Sequence, residues 1–340
     1  MAKVKVAING LGRIGRAFLK QAVKESALQV VAVNDLGDLE NLAYLLRYDS
    51  AYGPYNEEIK TAGDSLLIAG QTIKFLQQKD PTALPWRELN IDVVVESTGV
   101  FETYDKSKAH LLAGARKVVI SAPAKDEPPA GLGGATVLVG INEDKLATCQ
   151  ISSNGSCTTN AASPLIAILD EAIGIERAIL NTVHGYTASQ KLVDSPDTKD
   201  FRRGRAAAAN IIPATTGAAI AVTKVLPNLI GKFDGLAVRV PVVSGSLVDV
   251  TFVAKRPTSV EEVNNILTSA ARAPRWQGIF AVTNEPLVST DILNSPYGSF
   301  AQLDLTKVVD KTLVKVLAWY DNETGYARTL IRHVIKTGQS

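Results

Sequence analysis

The chain has little cysteine, little histidine and almost no net charge. Its 340 residues include two cysteines and three histidines, and the net charge is +2. Cys149 and Cys157 fit no zinc-binding spacing and form no Cys-x-x-Cys pair, so no metal site is expected. A charge this close to zero gives no electrostatic reason to expect nucleic-acid binding. Two cysteines without a disulfide framework predict thiol chemistry in a reducing cytoplasm.

Long apolar runs are also absent from the sequence. No run approaches the roughly 20 residues that a membrane-spanning helix needs. Residues 1–5 lead directly into a strand pattern, so no signal peptide is expected either. The hydrophobic content of 46% and the charged content of 21% are those of a globular protein with an ample core. The length suggests about two domains.

A glycine motif follows the first strand-like run. Residues 4–8 are mostly apolar, and Gly10, Gly12 and Gly15 then follow with Gly-x-Gly-x-x-Gly spacing. Apolar residues recur with helical spacing over residues 16–24. Strand, glycine turn and helix in this order predict a dinucleotide whose phosphates lie at the N-terminus of the helix.

An acidic residue lies at the distance where such a fold binds ribose. Residues 28–33 read as the second strand, and Asp35 follows 20 residues after Gly15. A carboxylate at this point binds ribose hydroxyls, and its charge would repel a 2′-phosphate, so NAD is predicted rather than NADP. The alternative is that Asp35 only caps the next helix.

Strands and helices go on alternating through the first half of the chain. The strand-like runs are residues 91–95, 117–121 and 136–139, and a helix-like run at residues 104–113 lies between the first two. This alternation predicts a Rossmann-type, doubly wound parallel sheet. Thr98 and Ser121 come just after strands, at the edge where such sheets bind ligands.

Cys157 lies in an unusual setting for a cysteine. It belongs to the polar segment 153–160, and the apolar residues 161–168 that follow predict a helix. The N–H groups and the dipole at a helix N-terminus favour thiolate. His184 ends a strand-like run and could act as the base for the thiol. An inert core cysteine is the alternative, which the polar neighbours disfavour.

The second half holds a long polar stretch, residues 185–205, without clear periodicity. Its length predicts a functional loop. Arg202 and Arg203 lie near its end and precede the hydroxyl of Thr216, a combination that suits phosphate recognition, although a solvated basic loop fits equally well. Arg239 interrupts an apolar strand-like run, so it needs a partner: a bound anion or a buried carboxylate.

Four motifs in the same order resemble those of the phosphorylating glyceraldehyde-3-phosphate dehydrogenase family. They are the glycine turn at residues 9–16, the cysteine segment at 153–160, His-x-Tyr-Thr at 184–187 and Trp-Tyr-Asp-Asn-Glu at 319–323. The resemblance runs from about residue 3 to residue 336.

The resemblance implies an organisation into three parts. These are an NAD-binding domain at residues 1–156, an α+β catalytic domain with a mixed sheet at residues 157–321, and a C-terminal helix at residues 322–340 that packs back on the NAD-binding domain. It also implies a homotetramer.

The same resemblance assigns roles to individual residues. Cys157 is implied to be the nucleophile and His184 its base. The implied NAD-binding residues are Gly10, Gly12, Arg13, Ile14, Asp35, Thr98, Ser121 and Asn322, the last of which would hold the nicotinamide carboxamide. The implied substrate-phosphate residues are Thr187, Ser189 and Arg239. The implied inorganic-phosphate residues are Ser156, Thr216 and Gly217, and Thr158 lies close to them. Arg202 is implied to serve these anion sites, with Arg203 as the second choice.

The function implied by the resemblance is oxidation of D-glyceraldehyde 3-phosphate to 1,3-bisphosphoglycerate, in glycolysis or gluconeogenesis. NAD and inorganic phosphate are the other reactants, and a cysteine thiohemiacetal and a thioester are the intermediates. Erythrose-4-phosphate dehydrogenase and a non-catalytic binding protein of the same fold are the alternatives. No metal, nucleic acid or membrane is expected as a partner. Gly155, Gly245 and Thr324 depart from the family pattern and bear on rigidity and rate.

Overall fold

The computed structural model describes residues 2–198 and 200–340. The chain divides into two compact units. The first unit consists of Met1–Gly155 together with Ala327–Ser340, and the second unit is Ser156–Tyr326. Both units combine a β-sheet with helices, and each is described separately below.

The first unit alternates strands with helices. Its elements are β1 (Val4–Asn9), α1 (Arg13–Ala22), β2 (Leu28–Asn34), α2 (Leu39–Arg47), β3 (Tyr48–Asp49), β4 (Gly53–Pro54), β5 (Ile59–Ala62), β6 (Ser65–Ile68), β7 (Gln71–Leu76), β8 (Val93–Glu96), α3 (Tyr104–Leu112), β9 (Lys117–Ile120), β10 (Gly134–Thr136) and β11 (Ile151–Ser153). Nine strands form one sheet in the order β10-β11-β9-β8-β1-β2-β7-β6-β5.

Most of this sheet is parallel. β1 pairs in parallel with both β2 and β8, and the sequence order of the strands reverses around it. Among the described strands of this sheet, the antiparallel pairings are β5 with β6 and β6 with β7. The predicted doubly wound parallel sheet is therefore confirmed. The prediction of a strand at residues 136–139 was wrong, because the strand ends at Thr136. Val137 and Leu138 are both buried, and Val137 packs with Leu146 and Cys149, so their apolar character reflects burial and not a strand.

The second unit is built on a mixed sheet. Its elements are α4 (Cys157–Ile173), β12 (Ile175–Gly185), β13 (Ile212–Thr215), α5 (Ala218–Val225), β14 (Phe233–Val240), β15 (Ser246–Ala254), α6 (Val260–Arg272), β16 (Phe280–Thr283), β17 (Ser299–Val309) and β18 (Leu313–Tyr320). Helix α7 (Thr324–Gln339) begins in this unit and ends in the first. The seven strands have the order β13-β14-β12-β15-β18-β17-β16. The predicted α+β unit with a mixed sheet is confirmed.

Strand register brings two functional candidates together in the second unit. β12 and β14 pair in parallel, and their register places His184 directly beside Arg239. Neighbours on one strand pair share a face of the sheet, so their side chains can meet. The long-range pairing of these two strands therefore places a charged group beside a histidine 55 residues earlier in the chain.

The part of α7 that belongs to the first unit is fixed there by polar contacts. His333 Nε2 lies 2.7 Å from Ser152 Oγ, and Lys336 forms a 2.7 Å ion pair with Glu143. His333 is fully buried, and burial lowers its pKa to about 4. The histidine is therefore neutral at physiological pH.

Within the described residues, no helix combines the length and the apolar character that crossing a membrane requires.

Candidate active site

The glycine turn of the first unit has the shape that its sequence predicts. Gly10 has φ +98, and a Cβ there would lie 2.7 Å from the backbone nitrogen of Thr98. A Cβ on Gly15 would lie 2.0 Å from the carbonyl oxygen of Gly10, so the start of α1 packs too closely on the turn for any side chain. Gly12, by contrast, has no heavy atom within 4 Å of an added Cβ. The backbone at Gly12 is open to a ligand, as a pyrophosphate needs.

Asp35 connects the glycine turn to the end of β2. One carboxylate oxygen accepts from the backbone N–H of Leu11 at 2.6 Å, and the other accepts from Gly37 at 2.8 Å. The alternative that Asp35 caps the next helix was wrong, because Asp38 caps α2 by accepting from Asn41. Asp35 is half-buried, so part of its carboxylate remains accessible to a ribose.

A cleft of about 440 Å³ opens beside this turn. It is lined by Asn9, Gly10, Gly12, Asn34, Asp35, Leu36, Gln78, Lys79, Pro81, Ser97, Thr98, Val100 and Phe101. Four of the predicted cofactor residues line it: Gly10, Gly12, Asp35 and Thr98. Arg13, Ile14 and Ser121 do not, and the Arg13 guanidinium pairs with Asp49 at 2.7 Å.

Sequence reasoning missed the cleft residues Gln78 and Lys79. They directly follow β7, which neighbours β2, so they lie at the same sheet edge as Asp35. Ligands bind just beyond the ends of strands in such sheets, and this rule pointed to Thr98. It would also have pointed to Gln78 and Lys79 if residues 71–76 had been recognised as a strand.

A buried polar network supports the floor of this cleft. Glu96 accepts hydrogen bonds from Asn9 at 2.6 Å and from the backbone of Thr98 at 2.8 Å, and its carboxylate also lies 3.0 Å from His110 Nε2. The indole of Trp86 contacts His110 Nδ1 at 3.1 Å. An indole N–H can only donate, so Nδ1 accepts, and the His110 proton lies on Nε2 and is donated to Glu96. The network thereby orients Asn9 and Thr98 at the cleft.

In the second unit, Cys157 is the first residue of α4. Ser156 is the N-cap: its Oγ accepts from the Thr159 N–H at 3.0 Å, and Thr159 Oγ1 in turn accepts from the Ser156 N–H at 3.2 Å. The Sγ atom of Cys157 lies 3.4 Å from His184 Nε2. Gly155, which departs from the family pattern, has φ +62, and glycine adopts this conformation without strain.

The electrostatics of the thiol differ from the sequence expectation of a favoured thiolate. Burial raises the pKa of Cys157, although the positive charge of Arg239 and hydrogen bonds from Thr158 oppose the rise. Burial and the charge of Arg239 lower the pKa of His184 to about 3. A neutral His184 supplies no imidazolium to stabilise the thiolate. Desolvation thus opposes the thiolate in the folded protein, an effect that the sequence alone did not reveal.

Two groups of opposite character contact the other ring nitrogen of His184. Its Nδ1 lies 2.6 Å from the carbonyl oxygen of Gly185 and 2.6 Å from the Nη1 atom of Arg239. Arg239 Nη1 also donates to the Gly185 carbonyl at 3.2 Å. No carboxylate in the described ranges pairs with Arg239, so the alternative of a buried acidic partner was wrong.

The contacts of the loop arginines favour Arg203 over Arg202. Arg202 forms a 3.1 Å ion pair with Asp200, and 60% of its side chain is exposed. Arg203 donates to the carbonyl oxygen of Thr215 at 3.3 Å, its contact with Asp200 is longer at 4.0 Å, and 29% of its side chain is exposed. Burial lowers the pKa of Arg239, and the charge of Arg203 acts in the same direction, which places Arg203 near Arg239. The second choice of the sequence analysis is thus the better candidate for an anion site.

The side-chain hydroxyl groups that were predicted to bind phosphate differ in their accessibility. Thr187 Oγ1 lies 2.9 Å from Ser189 Oγ, on the accessible side of the loop. Gly217 is the N-cap of α5 and supplies no side-chain cap, and the N-terminus of a helix is a place where an anion can bind. Thr216 accepts from the Ala218 N–H at 3.1 Å.

The hydroxyls of Ser156 and Thr158 are already engaged within the unit. Ser156 caps α4, and Thr158 is buried with its Oγ1 2.9 Å from Tyr320 Oη. Tyr320 Oη also lies 2.7 Å from Thr182 Oγ1, and the ring of Tyr320 meets the ring of His184 edge-on at 5.8 Å. Sequence reasoning gave Tyr320 no role, although it lies inside a motif that was noticed.

The amide of Asn322 has a fixed orientation. Its Oδ1 accepts from Ser246 Oγ at 2.9 Å and from the backbone N–H of Gly245 at 3.1 Å. Gly245 has φ +90, and a Cβ there would lie 2.3 Å from the carbonyl oxygen of Ser289, which explains the glycine. Because Oδ1 is occupied, the Nδ2 group of Asn322 is the part available to a ligand acceptor.

These features define a class of protein. A nucleotide cleft on a glycine turn, and a cysteine paired with a histidine on a second sheet, are typical of a dinucleotide-dependent oxidoreductase that works through a thiol. Among the described residues, no group of three or more His, Cys, Asp and Glu side chains could hold a metal ion.

Comparison with known proteins identifies the family. A model of the glyceraldehyde 3-phosphate dehydrogenase NAD binding domain matches residues 4–104, and a model of the C-terminal domain of the same enzyme matches residues 156–322. Glyceraldehyde-3-phosphate dehydrogenase 2 of Bacillus subtilis is 46% identical over 337 residues, which cover 98% of this chain and 97% of the relative. The Mycobacterium avium enzyme is 46% identical, with 99% of each chain covered, and enzyme 1 of Trichoderma koningii is 44% identical, with 97% and 96% covered.

The chain belongs to the glyceraldehyde-3-phosphate dehydrogenase family. It is an NAD-dependent dehydrogenase, which confirms the cofactor prediction and the resemblance read from the four motifs.

Proposed function

We propose that this chain oxidises D-glyceraldehyde 3-phosphate to 1,3-bisphosphoglycerate, with NAD and inorganic phosphate as the other reactants. The observation that supports this most is the 3.4 Å contact between Cys157 Sγ and His184 Nε2 at the start of α4. A nucleophile and its base must lie this close for proton transfer between them. The neighbouring arginines suit a substrate and a co-substrate that are both anions.

The first chemical step forms a bond between Cys157 Sγ and the aldehyde carbon. The thiol proton passes to His184 Nε2 and the aldehyde oxygen becomes negatively charged. The backbone N–H of Cys157 points from the N-terminus of α4 and stabilises this oxygen. Protonation of the oxygen gives the thiohemiacetal.

The second and third steps convert the thiohemiacetal to product. His184 removes the hydroxyl proton as the carbon loses a hydride, and a thioester on Cys157 results. When bound, NAD supplies the hydride acceptor. Inorganic phosphate then attacks the thioester carbon, the C–S bond breaks, and Cys157 leaves as thiolate.

The cofactor fits the residues of the first unit. The open backbone at Gly12, after the tight turn at Gly10, would hold the pyrophosphate. The Asp35 carboxylate would bind the ribose, and Thr98 would contact the nicotinamide end of the cofactor. Asn322 Nδ2 would donate to the carboxamide oxygen. Arg13, Ile14 and Ser121 are proposed to contact the cofactor as well, although they do not line the cleft.

The anion sites are proposed as two groups of residues. Thr187, Ser189 and Arg239 would bind the substrate phosphate. Thr216, Gly217 and Arg203 would bind inorganic phosphate at the N-terminus of α5. Ser156, Thr158 and Arg202 would have lesser roles, because a helix cap, Tyr320 and Asp200 engage them more strongly.

The organisation of the molecule is part of the proposal. The NAD-binding domain would comprise residues 1–156, the catalytic domain residues 157–321, and residues 322–340 a helix that packs on the NAD-binding domain. The proposed assembly is a homotetramer, and the proposed location is the cytoplasm.

Omission of single reactants tests the function. We expect NADH to form from NAD, glyceraldehyde 3-phosphate and inorganic phosphate, and to fall to background when any one is left out. D-Erythrose 4-phosphate is assayed in parallel, and a higher kcat/KM for this aldehyde would assign the chain to the related dehydrogenase instead. Absence of NADH under all conditions, with NAD still bound, would favour a binding protein of this fold.

A further inference from the structure

A chain of hydrogen bonds crosses the edge of the parallel sheet beside the nucleotide cleft. One end of the chain is the backbone N–H of Gln78, which donates to Asn34 Oδ1 at 2.8 Å. Asn34 Nδ2 therefore donates to Asn9 Oδ1 at 2.7 Å, and Asn9 Nδ2 donates to Glu96 at 2.6 Å. Because a backbone N–H can only donate, this end of the chain fixes the orientation of both amides.

The other end of the chain is the indole of Trp86. Its N–H can only donate, and it lies 3.1 Å from His110 Nδ1, so the His110 proton lies on Nε2. That proton is donated to the Glu96 carboxylate at 3.0 Å. His110 is therefore neutral, and its contact with Glu96 is a hydrogen bond and not an ion pair.

Neutral donors surround the Glu96 carboxylate. On Oε2 the donors are Asn9 and His110. On Oε1 they are the backbone N–H of Thr98, at 2.8 Å, and the Thr98 hydroxyl. A group that faces donors on both oxygens is an ionised carboxylate. Glu96 is only 2% exposed, and no lysine or arginine of the described ranges pairs with it, so a negative charge without a cationic partner lies behind Thr98.

We propose that the buried charge of Glu96 makes the cleft favour the oxidised cofactor over the reduced one. The oxidised nicotinamide ring is a cation and the reduced ring is neutral, so a nearby carboxylate attracts the oxidised form alone. Little water screens a buried charge, so Glu96 can act without touching the cofactor. This role rests on the proposed function, in which Thr98 contacts the nicotinamide end of the cofactor.

The preference has a consequence for turnover. The charge of Glu96 adds to the affinity for NAD, and the attraction is lost once the ring has been reduced, so release of NADH becomes easier. The adenosine and the pyrophosphate are the same in both forms, and their contacts cancel in the ratio of the two dissociation constants. That ratio therefore reports the interactions that distinguish the two ring forms.

A second carboxylate of the cleft provides a matched control. Asp35 follows β2 and Glu96 ends β8, and these two strands lie on opposite sides of β1. Asp35 is proposed to bind the adenosine ribose, which NAD and NADH share. Removal of this charge by Asp35→Asn should therefore weaken the binding of both forms by similar factors.

Titration calorimetry without aldehyde or phosphate tests the role of Glu96. The dissociation constants for NAD, NADH and ADP-ribose, which lacks the nicotinamide, are measured for wild type and variants. We expect Glu96→Gln to raise the constant for NAD about fivefold more than the constants for NADH and ADP-ribose. Glu96→Asp keeps the charge, so its ratio of NAD to NADH affinity should stay close to that of wild type, whatever the change in each affinity.

A neutral analogue of NAD tests wild type directly, and this measurement remains decisive if Glu96→Gln does not fold. Benzamide adenine dinucleotide keeps the carboxamide but has a neutral ring in place of the pyridinium. Wild type should bind NAD several times more tightly than this analogue. Equal affinities for the two compounds would overturn the role of the charge, and a thermal melt of each variant shows whether it is folded.

The outcomes also separate the role of Glu96 from the proposed function. An unchanged NAD-to-NADH ratio in folded Glu96→Gln overturns the role, and so does an equal shift of that ratio in Glu96→Asp or in Asp35→Asn. If NADH forms from the aldehyde phosphate while the ratio does not respond to Glu96→Gln, the function stands and the role of the charge is wrong. If no NADH forms, the function is wrong, and the binding constants still decide the role of Glu96.

Discussion

Ser246 Oγ donates to Asn322 Oδ1 at 2.9 Å and thereby decides which end of the Asn322 amide a ligand can meet. Gly245 adds a second donor to the same oxygen, and its backbone conformation excludes a larger residue there. This arrangement explains why a departure from the family pattern at Gly245 is compatible with function. It also makes the proposed contact of Asn322 with the nicotinamide depend on a serine that no motif singled out.

Ser246→Ala should weaken the cofactor contact without abolishing the chemistry. Loss of the hydroxyl lets the Asn322 amide rotate, so we expect the KM for NAD to rise severalfold with a smaller change in kcat. The free energy of unfolding should fall by about 1 kcal/mol, as for one lost buried hydrogen bond. Steady-state kinetics and a urea melt measure both effects. Ser269→Ala, at an exposed position of α6, is the control, and equal effects of both variants would contradict the prediction.

Cys157→Ser should abolish turnover but keep NAD binding nearly intact. A serine hydroxyl is far less ionised than a thiol at neutral pH, so we expect kcat to fall on the order of 10³-fold or more. The residues that line the nucleotide cleft all belong to the first unit, so the dissociation constant for NAD should change little. Calorimetry measures the dissociation constant for NAD, and the rate of NADH formation measures kcat. Turnover similar to wild type would refute the covalent mechanism.

Asp35→Asn should narrow the preference for NAD over NADP. The amide removes the charge that repels a 2′-phosphate, but its oxygen can still accept from Leu11 N–H, so the glycine turn is kept. The catalytic efficiencies with both cofactors are compared in wild type, Asp35→Asn and the control Asp38→Asn, which alters only the cap of α2. An unchanged NAD/NADP ratio in Asp35→Asn would mean that the carboxylate serves the turn and not the ribose.

The fold and the proximity of Cys157 to His184 could be predicted from the sequence because both depend on motifs with local signals. The glycine turn and the cysteine segment are each contained in a few consecutive residues, and each requires particular residue types. Arg203, Gln78 and Ser246 were ranked low or missed, because their positions depend on strand order and loop packing. The raised pKa of Cys157 could not be predicted either, since desolvation depends on how closely distant strands cover the Sγ atom.

Arg239→Leu should lower kcat/KM for the phosphorylated aldehyde by about 100-fold, the effect of about 3 kcal/mol from a lost charge-assisted contact. Non-phosphorylated glyceraldehyde should be affected much less. The protein should stay folded, because no described carboxylate loses a partner and the neutral leucine removes a buried charge. The values of kcat/KM for both aldehydes and the melting temperature of the variant are measured together. Equal losses on both substrates with a lowered melting temperature would refute the assignment of Arg239 to the substrate phosphate.

Two buried histidines should make the protein lose stability on mild acidification. The pKa of His184 is lowered to about 3 and that of His333 to about 4, against about 6.5 in the unfolded chain. Below pH 6.5 the unfolded chain binds protons that the folded protein does not, so the free energy of unfolding falls as the pH falls. The slope approaches about 1.4 kcal/mol per pH unit for each histidine, and the His333 contribution levels off below pH 4.

His333→Gln isolates one of these two contributions. Glutamine binds no proton in this range, so between pH 6.5 and pH 4 the variant should lose stability with a shallower slope than wild type. Its stability at pH 7.5 should be lower, because the contacts to Ser152 and Asn154 are altered. Urea unfolding at constant protein concentration and several pH values gives both slopes. Parallel curves would show that His333 is already protonated in the folded protein, and its buried contacts would then have to accommodate a cation.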